Sequence, residues 1–429
     1  MHSTSAQHLT GSDQTVRRAA SLPDFPSHQR PSGYRHTHRD ENRVAMETPN
    51  TDNLSALEQL PAELLLKVLC FTPDLSSLHS LLLASARVSR AFPQAARHVT
   101  DAVISASLPP LTQAAARAVV RIRVSAHECR CVDDVRALHH EQTPPPLPSA
   151  AAPALLRRFV ALAHQIHCLT HACLESYLER CTTSLRPILP PDRRFPRALN
   201  GGPVLPPRED GTPYEIPAQE PPSWIEEHRV LRSMWLVQAV YELQRARLDG
   251  RLVWTKAEMA SLERLSAVDF RGLRCYGCES EQLLTVVDFL GQLSGERTGS
   301  TPIAFRMPQP PCAGQGSFHY ICALELQFGF RQDKWDQGRD RLHSNPLGFG
   351  FNRSIASGPR SPLQCISFEP YRRYGFAIWD NKRLTSLGFF HGDKARAWLQ
   401  PDDLYFIWRS ILTDEEVEEA RRLSLAMFP

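Results

Sequence analysis

Apolar residues recur at helical spacing in blocks along this chain, and prolines separate the blocks. Leucine is dense from Leu57 to Ala95. Leu64/Val68 and Leu65/Leu69 are i, i+4 pairs on adjoining faces of one predicted helix. Pro61 suits that helix's first turn, where a missing N–H costs nothing. Pro73 interrupts the pattern, and Asp74 is the expected N-cap of a second helix carrying Leu75, Leu78, Leu81 and Leu82. Ser85 is the expected cap of a third, which carries Val88 and Phe92 and which Pro93 is expected to end. Three short helices do not hide this much leucine among themselves, so part of it faces the rest of the chain or a partner.

The helical pattern continues through residues 98–140, including Leu111–Val124. A stiff connector, Thr143–Pro153, follows. Ala154–Cys181 is the longest predicted helix. Its apolar positions Leu155, Phe159, Leu162, Ile166, Leu169, Cys173 and Tyr177 step by three or four, the mark of a buried stripe. Residues 186–222 hold eleven prolines and read as a linker or long surface loop. Ser223 and Glu226 form a capping box opening a helix with Leu231, Met234, Trp235, Gln238 and Tyr241 in register, and Gly250 is its expected stop. Thr255 with Glu258 opens another short helix, and Ser280–Leu293 reads as a further one. The Gly/Pro-rich stretch 294–365 gives no assignment, and His319–Phe328 fits a strand or a helix equally. Tyr371–Leu387 and Pro401–Leu412 have helical periodicity with large aromatics. Thr413 and Glu416 form a second capping box with Leu412 and Val417 at staple positions; Asp414–Glu416 open that last helix and Arg421–Arg422 close it, as the helix dipole favours.

The 429 residues are 42% hydrophobic and 22% charged, an ordinary globular mixture. The 35 prolines are in excess, as expected for helical pieces joined by Pro-rich connectors. The predicted class is mainly α: three N-terminal helices over 54–97, a helical region over 98–185, the Pro-rich stretch 186–222, and a helical C-terminal region over 223–429 with its insert near 294–365. Residues 1–53 are polar and aperiodic, and are expected to form a disordered tail. The formal charge of +3 is too small to imply nucleic acid, no apolar run is long enough for a membrane helix, and the start lacks a signal-peptide core. The expected location is the cytoplasm or nucleus, where the eleven cysteines read as free thiols.

The order Leu60-Pro61, Glu63-Leu64, Val68-Leu69, Pro73, Leu75, Leu78, Val88 and Phe92 resembles an F-box, with Phe92 standing where that family often has Trp. Beyond it, the long helical body and the stretch Tyr371–Phe390 resemble the C-terminal part of uncharacterised fungal F-box proteins. The resemblance implies a three-helix motif that docks on a Skp-type adaptor and, through it, a cullin-RING ligase. The chain is then the substrate receptor of an SCF-type ubiquitin ligase in ubiquitin-dependent protein degradation. It also implies that Leu60, Pro61, Leu64, Val68, Leu69, Leu75, Leu78, Val88 and Phe92 supply the motif's core and adaptor face. The alternative is a non-catalytic helical scaffold in which the F-box-like segment is internal packing.

Other constellations carry less. In His164–Cys173, the pairs His164/Cys168 and His167/His171 lie one turn apart on a helix, as zinc ligands can. By rotation, His164, Cys168 and His171 fall opposite the apolar stripe, so this face is read as solvated or touching a neighbouring segment, and no metal is assigned. Cys275-Tyr-Gly-Cys278 lacks a second pair at suitable distance, since Cys312 and Cys322 do not form one. His127-Glu-Cys-Arg-Cys131 is isolated. Tyr371-Arg-Arg-Tyr374 offers basic–aromatic alternation, which is expected to be one amphipathic face and not a nucleic-acid platform. There is no G-x-G-x-x-G, Walker A, G-x-S-x-G or H-E-x-x-H motif. Neither catalysis nor a cofactor is therefore expected. A substrate receptor needs only to supply proximity.

Overall fold

The computed structural model describes residues 55–140, 145–191, 194–197, 203–265, 277–293, 307–308, 348–349, 361–390 and 401–427, all within a unit that begins at Leu54. The tail 1–53, His319–Phe328, Cys275, Cys312 and Cys322 lie outside the described residues. Among the described residues, helix makes up 69% and strand 2%, so the chain is mainly α.

Local chemistry sets the first elements. Helix α1 (Ala56–Gln59) is capped by Ser55, and α2 (Ala62–Cys70) follows directly. Pro61 is the N-cap of α2 and not part of its first turn. In α3 (Leu75–Ala84), the Asp74 carboxylate accepts from the Ser77 N–H at 2.7 Å. In α4, the Ser85 hydroxyl accepts from the Val88 N–H at 3.3 Å. Helix α4 (Ala86–Ser107) does not end at Pro93 as predicted: it runs on through a kink, with Ala95 at φ −136°, ψ 24°. The buried stripe Val88, Phe92, Ala96, Val99 and Val103 continues past the proline in steps of four or three, so burial holds the helix together where the backbone alone would stop.

Two more helices, α5 (Pro110–Ser125) and α6 (Val132–His140), lead to the 31-residue α7 (Pro153–Thr183). On α7, Phe159, Ile166, Leu169, Cys173 and Tyr177 are buried, while Leu155 and Leu162 are partly buried against the same core. Helix α8 (Trp224–Leu248) opens where the Glu226 carboxylate accepts from the Ser223 N–H at 2.8 Å, and it ends at Gly250 with φ 66°. It is the hub of the fold, packed by α5, α7, α9 (Lys256–Arg264) and α10 (Gly277–Leu293). The sequence marks one apolar stripe on α8, yet this helix is buried nearly all round. Its polar side chains therefore need internal partners. Arg123 on α5 donates from Nε to Glu242 at 2.9 Å, and Arg229 donates to the carbonyls of Ile378 (2.7 Å) and Trp379 (3.2 Å).

The predicted helix Tyr371–Leu387 is broken in two: α11 (Glu369–Arg372) and α12 (Asn381–Ser386). Gly375 sits at φ 74°, a conformation open to glycine, and Asp380 starts α12 afresh by capping the Arg383 N–H. Tyr371 of α11, Phe376 of the turn and Phe389 just after α12 make edge-on ring contacts with Trp408 of α13 (Pro401–Ser410). The Thr413/Glu416 capping box forms as predicted and opens α14 (Asp414–Met427). The 186–222 stretch is fastened to this end. β1 (Ile188–Leu189) pairs antiparallel with β2 (Thr212–Pro213), the Ile188 N–H donates to Ser410 Oγ at 3.0 Å, and Phe195 stacks on Phe406. No helix among the described residues is long and apolar enough to cross a membrane.

Candidate functional site

The N-terminal helices divide the predicted site residues into two sets. Leu69, Leu75, Leu78, Val88 and Phe92 are buried; α2 packs on α4, and α3 packs on α4 and α7. Leu64 and Val68 point outward, 46% and 40% exposed, with Pro61 exposed and Leu60 half-buried. The alternation follows from helix geometry. Leu65 and Leu69 form the inner row of α2, Leu64 and Val68 the outer row one residue back. Arg87 holds the entry to α2 from below, donating to the carbonyls of Glu58 and Leu60, while Ser85 Oγ donates to the Glu58 carboxylate at 2.8 Å.

Two exposed residues were not in the predicted set. Phe71 is 86% exposed and Leu83 75% exposed. Phe71 extends the outer row of α2, since 64, 68 and 71 step by four and three, so the helical period carried a signal for it. Nine large apolar side chains are exposed among the described residues, and four of them (Leu64, Val68, Phe71 and Leu83) fall within twenty positions. Scattered exposed leucines are ordinary, but such a concentration on one helix pair is not. Between α2 and α3 lies a groove of about 590 Å³. Val68, Phe71, Pro73, Leu81 and Ala84 make its apolar wall, with Ser76, Ser77 and Ser80 along one edge.

Flanking the groove, and sharing Ser76 with it, stands a group of histidines. The polar face of α7 is not solvated, because α3 and α8 cover it. Ser76 Oγ on α3 and His164 Nδ1 share a hydrogen bond of 2.7 Å, and His79 stacks on His164 with ring centroids 4.6 Å apart. One turn further, His167 Nδ1 and His171 Nε2 both face Glu227 Oε1 of α8, at 3.9 and 3.6 Å. His228 is buried beside them, its Nδ1–H donating to the Trp224 carbonyl at 2.9 Å. Burial pushes His167 down to about 3, with repulsion from His171 adding to the effect, and pushes His171 down to about 4. His228 likewise falls to about 4 through burial. These imidazoles are neutral at pH 7. A cavity of about 50 Å³ adjoins them, lined in part by Asp74, His167, Glu227 and His228.

Among the described residues, the other constellations bring together no further metal-ligand set. Cys129 is buried, its thiol pushed up to about 11 mainly by burial, and its carbonyl accepts from the Trp254 indole N–H. Among the described residues, the His127/Cys129/Cys131 cluster does not converge on a common point, whereas His167, His171 and Glu227 do. Cys278 is buried, and its CxxC partner lies outside the described residues. The arginines of Tyr371-Arg-Arg-Tyr374 are occupied. Arg372 pairs with Glu281 at 2.7 Å and Arg373 with Glu416 at 2.8 Å. Eight cysteines fall among the described residues, and none of them is in a disulfide.

Comparison with known protein families, with curated proteins and with solved structures finds no match.

Proposed function

We propose that this chain is a substrate-receptor subunit of an SCF-type ubiquitin ligase, docking on a Skp-type adaptor through the outer face of α2 and α3. The observation that carries this reading is the exposed row Leu64, Val68 and Phe71 beside an apolar groove, on a helix pair whose inner row is already sealed by α4 and α7. An amphipathic helix pair that keeps a second apolar face in water is suited to a partner helix or groove. The F-box-like order of residues names the class of partner. In this reading the adaptor brings a cullin-RING ligase, the remainder of the chain presents a surface to an unidentified protein substrate, and the receptor performs no bond chemistry. Its contribution is effective concentration.

The continuous core favours a second reading, a helical scaffold not linked to ubiquitination, because α3 is packed into the body through Leu75, Leu78 and Leu82. One experiment separates the two. The purified full chain is titrated against a Skp-type adaptor, beside a Leu64→Asp/Val68→Asp variant with unchanged helicity. Both substitutions lie on the exposed row, so the fold is retained. The receptor reading expects binding by the wild type and a loss of at least tenfold in the variant. A folded wild type that does not bind leaves the scaffold.

A further inference from the structure

We propose that His167, His171 and Glu227 form a binding site for one divalent transition-metal ion of the zinc class. The argument is geometric. Zinc with nitrogen and oxygen ligands at about 2.1 Å in a tetrahedron sets the ligand atoms about 3.4 Å apart. Here the Glu227 carboxylate oxygen stands 3.6 Å from His171 Nε2 and 3.9 Å from His167 Nδ1. All three donor atoms lie within 4.8 Å of one another. Closing the set to that spacing takes side-chain shifts on the order of 1 Å.

The ligand types fit one class of metal. Two imidazoles with one carboxylate suit zinc and its neighbours, whereas magnesium and calcium prefer all-oxygen sets. The spacing is built in: His167 and His171 are i, i+4 on α7, which places both rings on one face, and α8 delivers the carboxylate from the opposite wall. A cavity of about 50 Å³, lined by His167, Glu227 and Asp74 among others, adjoins two of the three ligands and has room for a water molecule. Three protein ligands and an open position are the arrangement of a zinc site that retains a water. The ion joins α7 to α8. This inference stands apart from the receptor reading, because none of its ligands belongs to the α2–α3 outer face.

The test uses the tag-free full chain, stripped with a chelator and returned to pH 7. Zinc is titrated in competition with a chromophoric chelator, and cobalt(II) is titrated while its visible d–d absorption is followed. One equivalent is expected, with cobalt bands intense enough for four- or five-coordination. His171→Gln and Glu227→Gln are each expected to weaken zinc at least tenfold, while Cys129→Ser/Cys131→Ser leaves it unchanged. X-ray absorption on the zinc-loaded wild type needs no variant to fold, and is expected to show only nitrogen and oxygen neighbours near 2.0–2.1 Å. A folded wild type that binds no equivalent overturns the proposal. So does equal affinity in the His171 and Glu227 variants, or sulfur neighbours near 2.3 Å.

Discussion

Arg157 on α7 donates from Nη2 to the carbonyl of Ser89 and from Nη1 to the Ser89 hydroxyl at 2.7 Å, at the one place in α4 where the helix cannot complete its own ladder. Pro93 stands four residues after Ser89 and has no N–H to offer that carbonyl. The guanidinium of a neighbouring helix takes over, and α4 continues as a kinked helix. Together with the apolar stripe that stays buried past the proline, this contact accounts for a helix that does not end where the sequence predicts.

The first prediction follows from it. Arg157→Ala leaves the Ser89 carbonyl without its charged donor and is expected to destabilise the chain by about 1–3 kcal/mol. In a Pro93→Ala background the helical bond is restored, so the same substitution is expected to cost clearly less. Urea denaturation of the four proteins in the cycle measures the coupling. Equal costs in both backgrounds would dissociate Arg157 from the proline.

A second prediction concerns the joint between α8 and the C-terminal turn. Glu226 and Arg383 are both buried and meet in a two-pronged pair, Nε to Oε1 at 2.8 Å and Nη2 to Oε2 at 2.9 Å. Arg383 also donates to the carbonyls of Glu220 and Pro221, and Glu226 also accepts from the Asp380 and Ser223 N–H groups. Removing one partner from such a pair costs about 3–5 kcal/mol. Arg383→Ala is expected near the lower end, because Glu226 keeps two backbone donors. Arg383→Lys is expected to recover little of it, since an ammonium cannot reach two carbonyls and both carboxylate oxygens together. Chemical denaturation of the two variants decides the matter.

The third prediction is a pH dependence. Burial pushes His164 and His79 below the ordinary imidazole value. Each faces the other's ring, the repulsion lowers His79 further, and the Asp74 carboxylate opposes the shift at His164. The unfolded chain titrates these groups near 6.5, above their folded values, so it binds more protons as the pH falls through that range. Stability is therefore full above about pH 6.5 and declines as the solution is acidified. His167, His171 and His228 add to the same acid limb. A His79→Gln/His164→Asn variant is expected to show a shallower fall between about pH 7 and 5 than the wild type, read as thermal midpoint against pH. An unchanged slope would mean that these two rings do not contribute.

What the sequence made legible was local. Asp74, Ser85, Glu226 and the Thr413/Glu416 pair all cap helices as their spacing predicts, because a cap involves residues only three apart. The stripe of α7 was equally readable. Features set by packing were not. Nothing around Gly375 states that it adopts φ 74°; that depends on Trp379, whose indole N–H donates to the Tyr374 carbonyl at 2.6 Å across the turn. The His167/His171 pair was visible, but its third ligand was not. Glu227 follows the capping Glu226 and reads as an ordinary acidic first-turn residue until α8 is laid against α7. The inward set of F-box-like residues was identifiable as a group, while their division between core and surface needed the positions of α4 and α7.

That division yields the last prediction. Leu69 is fully buried beneath α2, whereas Leu64 and Phe71 lie on its outer row. Leu69→Ala opens a cavity and is expected to cost about 2–5 kcal/mol of stability. Phe71→Ala removes a side chain already in water and is expected to stay within about 0.5 kcal/mol of the wild type, whereas Leu64→Ala, at a side chain about half covered, is expected to cost about 1 kcal/mol, still below Leu69→Ala. Adaptor binding should sort the same variants in the opposite order: Leu64→Ala and Phe71→Ala weaken it while the chain stays folded, and Leu69→Ala weakens it only in proportion to the unfolded fraction. Urea denaturation and adaptor titration on one set of preparations give both orders. If Leu64→Ala and Phe71→Ala bind like the wild type, the exposed row is not the docking face, even though the stability order would still hold.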